Sequence, residues 1–163
     1  MNKIFYTDGS SKGNPGKGGF GIVEFDEKNN TILSSKSAYF DYTTNNRMEL
    51  LAILCVLELA NIESEDTFTI YSDSAYCVNI INDWMWNWAR NNWYEGCDKE
   101  IKNLDLIKEI YNLCSKPFFN ASVVKCDGHA NILGNELADT LATNDDKKYN
   151  KLIEENNIQL LKI

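Results

Sequence analysis

A chain of 163 residues, 44% hydrophobic and 25% charged, has single-domain length and globular composition, which excludes a disordered or low-complexity protein. Its net charge of −8 by itself weighs against a nucleic-acid partner, because phosphate binding leaves a basic footprint, although bound divalent cations would offset part of that charge. No apolar run reaches the length of a membrane span, and Met1-Asn-Lys-Ile-Phe5 leads into a strand without a signal-peptide layout, so a cytoplasmic location is expected.

Residues 3–8 read as a first strand that ends in Asp8 and opens the glycine-rich segment Asp8-Gly-Ser-Ser-Lys-Gly-Asn-Pro-Gly16. Strands at roughly 19–27 and 31–41 follow, separated by the turn-like Lys28-Asn-Asn30, which suggests a hairpin. From about 45 to 61 the period becomes helical, with Met48, Leu51, Ala52, Cys55 and Leu59 at three- and four-residue steps. A β-rich run at 67–72 ends in Asp73, and 75–82 reads as helix. Four tryptophans then crowd Trp84-Met-Trp-Asn-Trp-Ala-Arg-Asn-Asn-Trp93. A polar loop at 94–103 precedes an amphipathic helix from Leu104 to Cys114, a strand from Ala121 to Cys126 and a last helix from Glu136 to about Thr143. Residues 144–163 are polar and weakly patterned, a helix extension or loose tail beyond a domain of residues 1–143. Three strands first and βαβ units after predict an α/β (α+β mixed) fold, a mixed sheet flanked by helices. Five cysteines without paired short spacing read as reduced thiols, not a zinc site.

Four acidic residues stand out. Asp8 and Asp73 end strands, Glu49 lies at the start of the long helix, and Asp139 sits in the last one. Each has an ordinary explanation: a turn at Asp8-Gly9, a capping box at Asn46-Arg-Met-Glu49, a helix cap at Asp73-Ser74, and an exposed helical position for Asp139. As a set they lie where α/β folds build active sites, and converging carboxylates repel unless cations hold them. Hard oxygen ligands suit Mg²⁺ or Mn²⁺, so a metal-dependent phosphoryl-transfer site is the leading reading. His129, the one histidine, lies in a strand-to-helix loop and could either hydrogen-bond its own loop or shuttle protons beside that cluster. The glycines at 13–19 match neither a P-loop nor a dinucleotide fingerprint. The tryptophans at 84, 88 and 93 suit helix packing or ligand stacking alike.

Taken together, Tyr6-Thr-Asp-Gly-Ser-Ser-Lys-Gly-Asn-Pro-Gly16, Thr43-Thr-Asn-Asn-Arg-Met-Glu49, Tyr71-Ser-Asp-Ser-Ala-Tyr76, Trp84 through Trp93, Lys102-Asn-Leu-Asp-Leu106 and Gly128-His-Ala-Asn…Asn135-Glu-Leu-Ala-Asp139 resemble ribonuclease H, type 1, in order over residues 3–143. The resemblance implies a five-stranded mixed sheet of the ribonuclease H-like fold and an endonuclease that cuts the RNA strand of RNA–DNA hybrids. It implies two Mg²⁺ ions, with Mn²⁺ able to substitute, held by Asp8, Glu49, Asp73 and Asp139, with Asp8 bridging both. Glu49 would also sense the ribose 2′-hydroxyl, and His129 would assist proton transfer or product release. Substrate contacts are implied at Ser10, Asn14, Thr44, Asn45, Asn46, Ser74, Trp84 and Asn103, with Thr44 and Asn103 forming a DNA-phosphate pocket. The hybrid is the expected partner; a monomer with no membrane and no protein partner is expected.

The chain departs from the family pattern in its tryptophan segment. Over 84–103 Arg90, Lys99 and Lys102 are matched by Glu95, Asp98 and Glu100, where bacterial members often carry a basic cluster. Ala75 stands where a substrate-contacting glutamine is common, and Ile132-Leu133 makes the loop after His129 apolar. Three rivals are a catalytically silent hybrid-binding module, another nuclease of the wider fold such as a resolvase or transposase core, and a metal-binding structural protein. The four carboxylates with His129 weigh against the first, Asn45, Asn46 and Asn103 against the second, and the 2′-hydroxyl reader against the third.

Overall fold

The computed structural model describes residues 1–62, 65–128 and 131–161. Three long strands, β1 (Asn2–Lys12), β2 (Gly16–Asp26) and β3 (Thr31–Thr43), form an antiparallel meander. The chain crosses over through α1 (Asn45–Ile62) to β4 (Thr67–Ser72), which pairs parallel to β1. After α2 (Ala75–Asn79), a π-helical turn at Ile80–Trp84, α3 (Met85–Arg90) and α4 (Leu104–Cys114), strand β5 (Ala121–Lys125) adds parallel to β4. Helices α5 (Leu133–Ala142) and α6 (Asp146–Glu155) complete the fold with β6 (Gln159–Leu160), giving the sheet order β5-β4-β1-β2-β3-β6.

Among the described residues the sheet therefore has six strands, not the expected five. The sixth is two residues long, too short to show alternation in sequence, and is held by pairing with Thr31 and Ile32 of β3. The α6 helix, weakly patterned in sequence, lays Tyr149, Leu152 and Ile153 against the core.

Alternation along β1 assigns its two faces. Phe5 joins a core with Leu50, Ile53 and Leu57 of α1, Phe68 and Ile70 of β4, and Ile107 and Ile110 of α4. Tyr6 faces the opposite way, into a smaller core with Val23, Phe25, Ile32, Leu137, Ala138 and Ile158. One residue's shift along the strand exchanges the faces, so burial on both sides fixes the register. Among the described residues no helix is long and apolar enough to cross a membrane.

Candidate active site

The last parallel pair between β1 and β4 is Thr7 with Ser72, so Asp8 and Asp73 each stand one residue beyond it. This is the crevice at the carboxyl ends of adjacent parallel strands, where open α/β sheets bind ligands. Glu49 reaches the crevice from α1, which approaches β1 closely because residue 9 is glycine: a Cβ there would lie 2.3 Å from the Glu49 nitrogen. Asp139 comes from α5 on the other face and contacts Asp8 through its carboxyl group.

Carboxylate oxygens of Asp8, Glu49 and Asp73 lie within 4.8 Å of one another. Asp8 and Glu49 are buried, at 5% and 6% exposure, whereas Asp73 and Asp139 are half-buried. The Gly9 amide donates to Glu49 Oε1 at 2.8 Å and lies 2.9 Å from Asp8 Oδ1. The Ser72 hydroxyl donates to Glu49 Oε2 at 3.4 Å. Asn135, 3% exposed and one helical turn before Asp139, hydrogen-bonds Asp73. Gly128 lies against the same carboxylate, since a Cβ there would sit 2.7 Å from Asp73 Oδ2.

Burial raises the pKa of Asp8, and its hydrogen bond with Glu49 and the charges of Glu49 and Asp73 raise it further. Burial likewise raises Glu49, to about 7, although the hydrogen bonds from Asp8, Gly9 and Ser72 favour its charged form. Asp73 is raised by burial and by Asp139, with Asn135 and Lys125 opposing. These oxygens cannot all carry charge without a cation, and their donor set fits a hard divalent metal. The glycines at 9 and 128 leave space where side chains would crowd Glu49 and Asp73.

The ordinary readings fare unevenly. Thr44, not Asn46, caps α1: its Oγ1 accepts from the Arg47 amide at 3.2 Å, which leaves Glu49 free to face β1. Ser74 does cap α2, accepting from the Cys77 amide at 3.2 Å, so Asp73 is spared for the crevice. Asn14 and Asn45 meet, with Asn14 Oδ1 accepting from the Asn45 amide at 3.0 Å, and exposed Asn46 follows on the same first turn of α1. Ser10 continues β1 two residues past Asp8. Asn103, left-handed at φ 61°, donates to the Tyr76 hydroxyl at 3.2 Å and accepts from Arg47 Nη1 at 3.3 Å, which brings it to the α1 terminus that Thr44 caps. Trp84 is 40% exposed, its ring 6.3 Å from Trp88, whereas Trp86 and Trp93 pack edge-on against Tyr111. The tryptophans are thus divided between surface and core. His129 lies outside the described residues. Sequence reasoning missed Asn135 and Gly128; the four-residue spacing of Asn135 and Asp139, on one helical face, was the available signal for Asn135.

A mixed sheet carrying carboxylates from β1, α1, the end of β4 and α5 at one crevice defines a class: metal-dependent hydrolases acting on phosphodiesters. The family model for RNase H matches residues 1–147. Ribonuclease H of Francisella philomiragia is 43% identical over 142 residues, covering 86% of this chain and 88% of that protein. Among solved structures, LC11-RNase H1, isolated from compost and crystallised with an RNA/DNA hybrid, superposes with a TM-score of 0.63 at 28% identity, covering 90% of this chain and 97% of that one. The solution structure of the prototype foamy virus RNase H domain gives 0.73 at 26% identity, covering 87% of this chain and 92% of that one. The chain belongs to the ribonuclease H family.

Proposed function

We propose that this protein is an endonuclease that hydrolyses the RNA strand of RNA–DNA hybrids with two Mg²⁺ ions, leaving 5′-phosphate and 3′-hydroxyl ends. The observation that carries the reading is the convergence of Asp8, Glu49 and Asp73 within 4.8 Å at the β1–β4 crevice. A relative of the same fold crystallised with an RNA/DNA hybrid supports the substrate class. When bound, the two ions supply Lewis-acid activation of the attacking water and stabilisation of the leaving 3′ oxygen.

The chain's own groups orient this chemistry. Asp8, between Glu49 and Asp139, is assigned to both ions, with Asp73 sharing in holding them; Glu49 and Asp139 complete one each. The Gly9 amide and the Ser72 hydroxyl hold Glu49, and Asn135 holds Asp73. Glu49 is also assigned the 2′-hydroxyl beside the cut, the group that separates RNA from DNA. Asn14, Asn45 and Asn46 are assigned to the minor groove, Thr44 and Asn103 to a DNA phosphate, Ser10 and Ser74 to the RNA side and Trp84 to the DNA face. Such contacts to sugar and phosphate carry little sequence specificity. His129 is assigned to proton transfer or product release. We place the enzyme in the cytoplasm as a monomer, in keeping with five free cysteines.

Labelled RNA–DNA hybrid, duplex RNA and duplex DNA, each with and without Mg²⁺, test the reading. Cleavage confined to the RNA strand of the hybrid and dependent on metal is expected. Tight hybrid binding without cleavage would identify a silent module instead, and cleavage of duplex DNA another nuclease of the fold.

A further inference from the structure

The charge balance leaves a question. At −8 overall, with the tryptophan segment nearly neutral, the protein must draw affinity for a polyanion from elsewhere. Lys108, which could add charge near that segment, is engaged with Glu95 at 3.0 Å.

A cavity of about 340 Å³ opens at the β1–β2 hairpin end, between β3 and the end of α5. Its wall includes Ser10, Lys12, Lys17, Tyr39, Phe40 and Thr143. Lys12 and Lys17 are cross-strand partners, so both side chains leave the hairpin on one face. Both are exposed and make no ion pair among the described residues; Asp41 is the one acidic residue on the wall. The Tyr39 hydroxyl donates to the Leu141 carbonyl at 2.6 Å, which fixes that ring against α5. Phe40, the next residue along β3, turns to the opposite face, where its ring rests 6.4 Å from Phe20 of the first core. Paired cations beside an exposed aromatic ring, that of Tyr39 at 47% exposure, form a combination that holds nucleic-acid strands by phosphate neutralisation and base stacking.

Position selects the strand. Asp8, Ser10 and Lys12 share one face of β1, so Lys12 lies about 14 Å from Asp8 at ~3.4 Å per residue, within reach of a few phosphates of the strand being cut. The start of α1, capped by Thr44 and assigned to DNA, touches the same hairpin through Asn14 and Asn45 but packs on the opposite face of the sheet from Lys12. We propose that this cavity is a second binding site, in which Lys12 and Lys17 take phosphates of the RNA strand flanking the cut and Tyr39 takes a base or ribose face. The inference rests on the hybrid-cleaving reading.

The test compares the wild type with Lys12→Gln/Lys17→Gln and with Lys28→Gln/Lys116→Gln, which removes the same charge at the far ends of β2 and α4. Hybrid affinity and KM are measured across a salt series, with kcat as a control. For the first variant KM should rise with kcat unchanged, and the slope of log affinity against log salt should flatten by about 1.8, at ~0.9 per lost contact. The second variant should leave the slope near that of the wild type. Equal losses in both variants, or none in the first, overturn the proposal while wild-type hybrid cleavage still upholds the general reading. Hybrids with either strand shortened beyond the cut complete the test. The difference between wild type and the first variant should vanish when the RNA strand is shortened; if it vanishes only when the DNA strand is shortened, the assignment to RNA is wrong. A wild type that cuts no hybrid removes the reading itself.

Discussion

Asp8 and Asp73 owe their closeness to register: both follow the last pair of a parallel ladder, and Gly9 lets Glu49 come down beside them. The four carboxylates were legible in sequence because strand ends and motif spacing mark them. Asn135 was not, because a buried asparagine inside a helix looks like any polar position until Asp73 is placed beside it. Asn135→Ala should leave the fold intact and weaken Asp73 as a ligand by about 10–100-fold in apparent metal affinity, the cost typical of a lost orienting hydrogen bond. A metal titration of activity checks this; an unchanged midpoint contradicts it. The cluster also sets a pH dependence. Asp8 and Glu49 have folded pKa values raised above their ordinary values of 3.8 and 4.5, that of Glu49 to about 7, mainly by burial. Between about pH 4 and 7 the metal-free folded state holds more protons than the unfolded chain, so its stability falls as pH rises through that window. Mg²⁺ should reverse the trend by binding the deprotonated cluster. Melting temperatures at pH 5 and pH 8, in chelator and in Mg²⁺, read it directly; a flat profile in chelator would sink the argument.

Helix α1 was readable from its apolar period, because local propensity and tertiary packing agree there, but its cap was read at Asn46 where Thr44 holds it. The tryptophan segment was not readable as a unit. A π-helical turn, a short helix and a turn with Trp93 at φ 56° divide it, and contacts with Tyr111 decide which rings are buried. The junction of α1 on β1 is close. In Gly9→Ala the new Cβ would meet the backbone of Met48 and Glu49 at 2.4 and 2.3 Å, atoms that cannot rotate away. Pushing α1 outward should cost about 1–3 kcal/mol, the usual range for overpacking, and draw Glu49 from the cluster. Urea unfolding together with metal-dependent activity measures both effects. Wild-type values in both would show that α1 tolerates the displacement.

At the scale of the molecule, helices on both faces of the sheet give one core to α1, α2 and α4 and another to α5 and α6. Residues beyond 143 read as an extension or tail because their alternation is weak, yet Ile158 is 7% exposed and α6 covers the second core. Deleting residues 145–163 should lower stability by several kcal/mol, at ~1.5–3 kcal/mol for each fully buried aliphatic side chain, and expose the surface around Val23 and Ile32. Denaturant melts of the shortened chain test this, and an unchanged midpoint would make the segment dispensable. In the proposed mechanism the carboxylate cluster cuts RNA in hybrids while the rest of the surface binds them. Asp8→Asn separates the two, since it removes the charge assigned to both metal ions and lessens the repulsion of phosphate. Hybrid binding and single-turnover cleavage by this variant, measured side by side with the wild type in Mg²⁺, should show binding retained or tightened and hydrolysis abolished. Substantial Mg²⁺-dependent cleavage by Asp8→Asn would contradict the account.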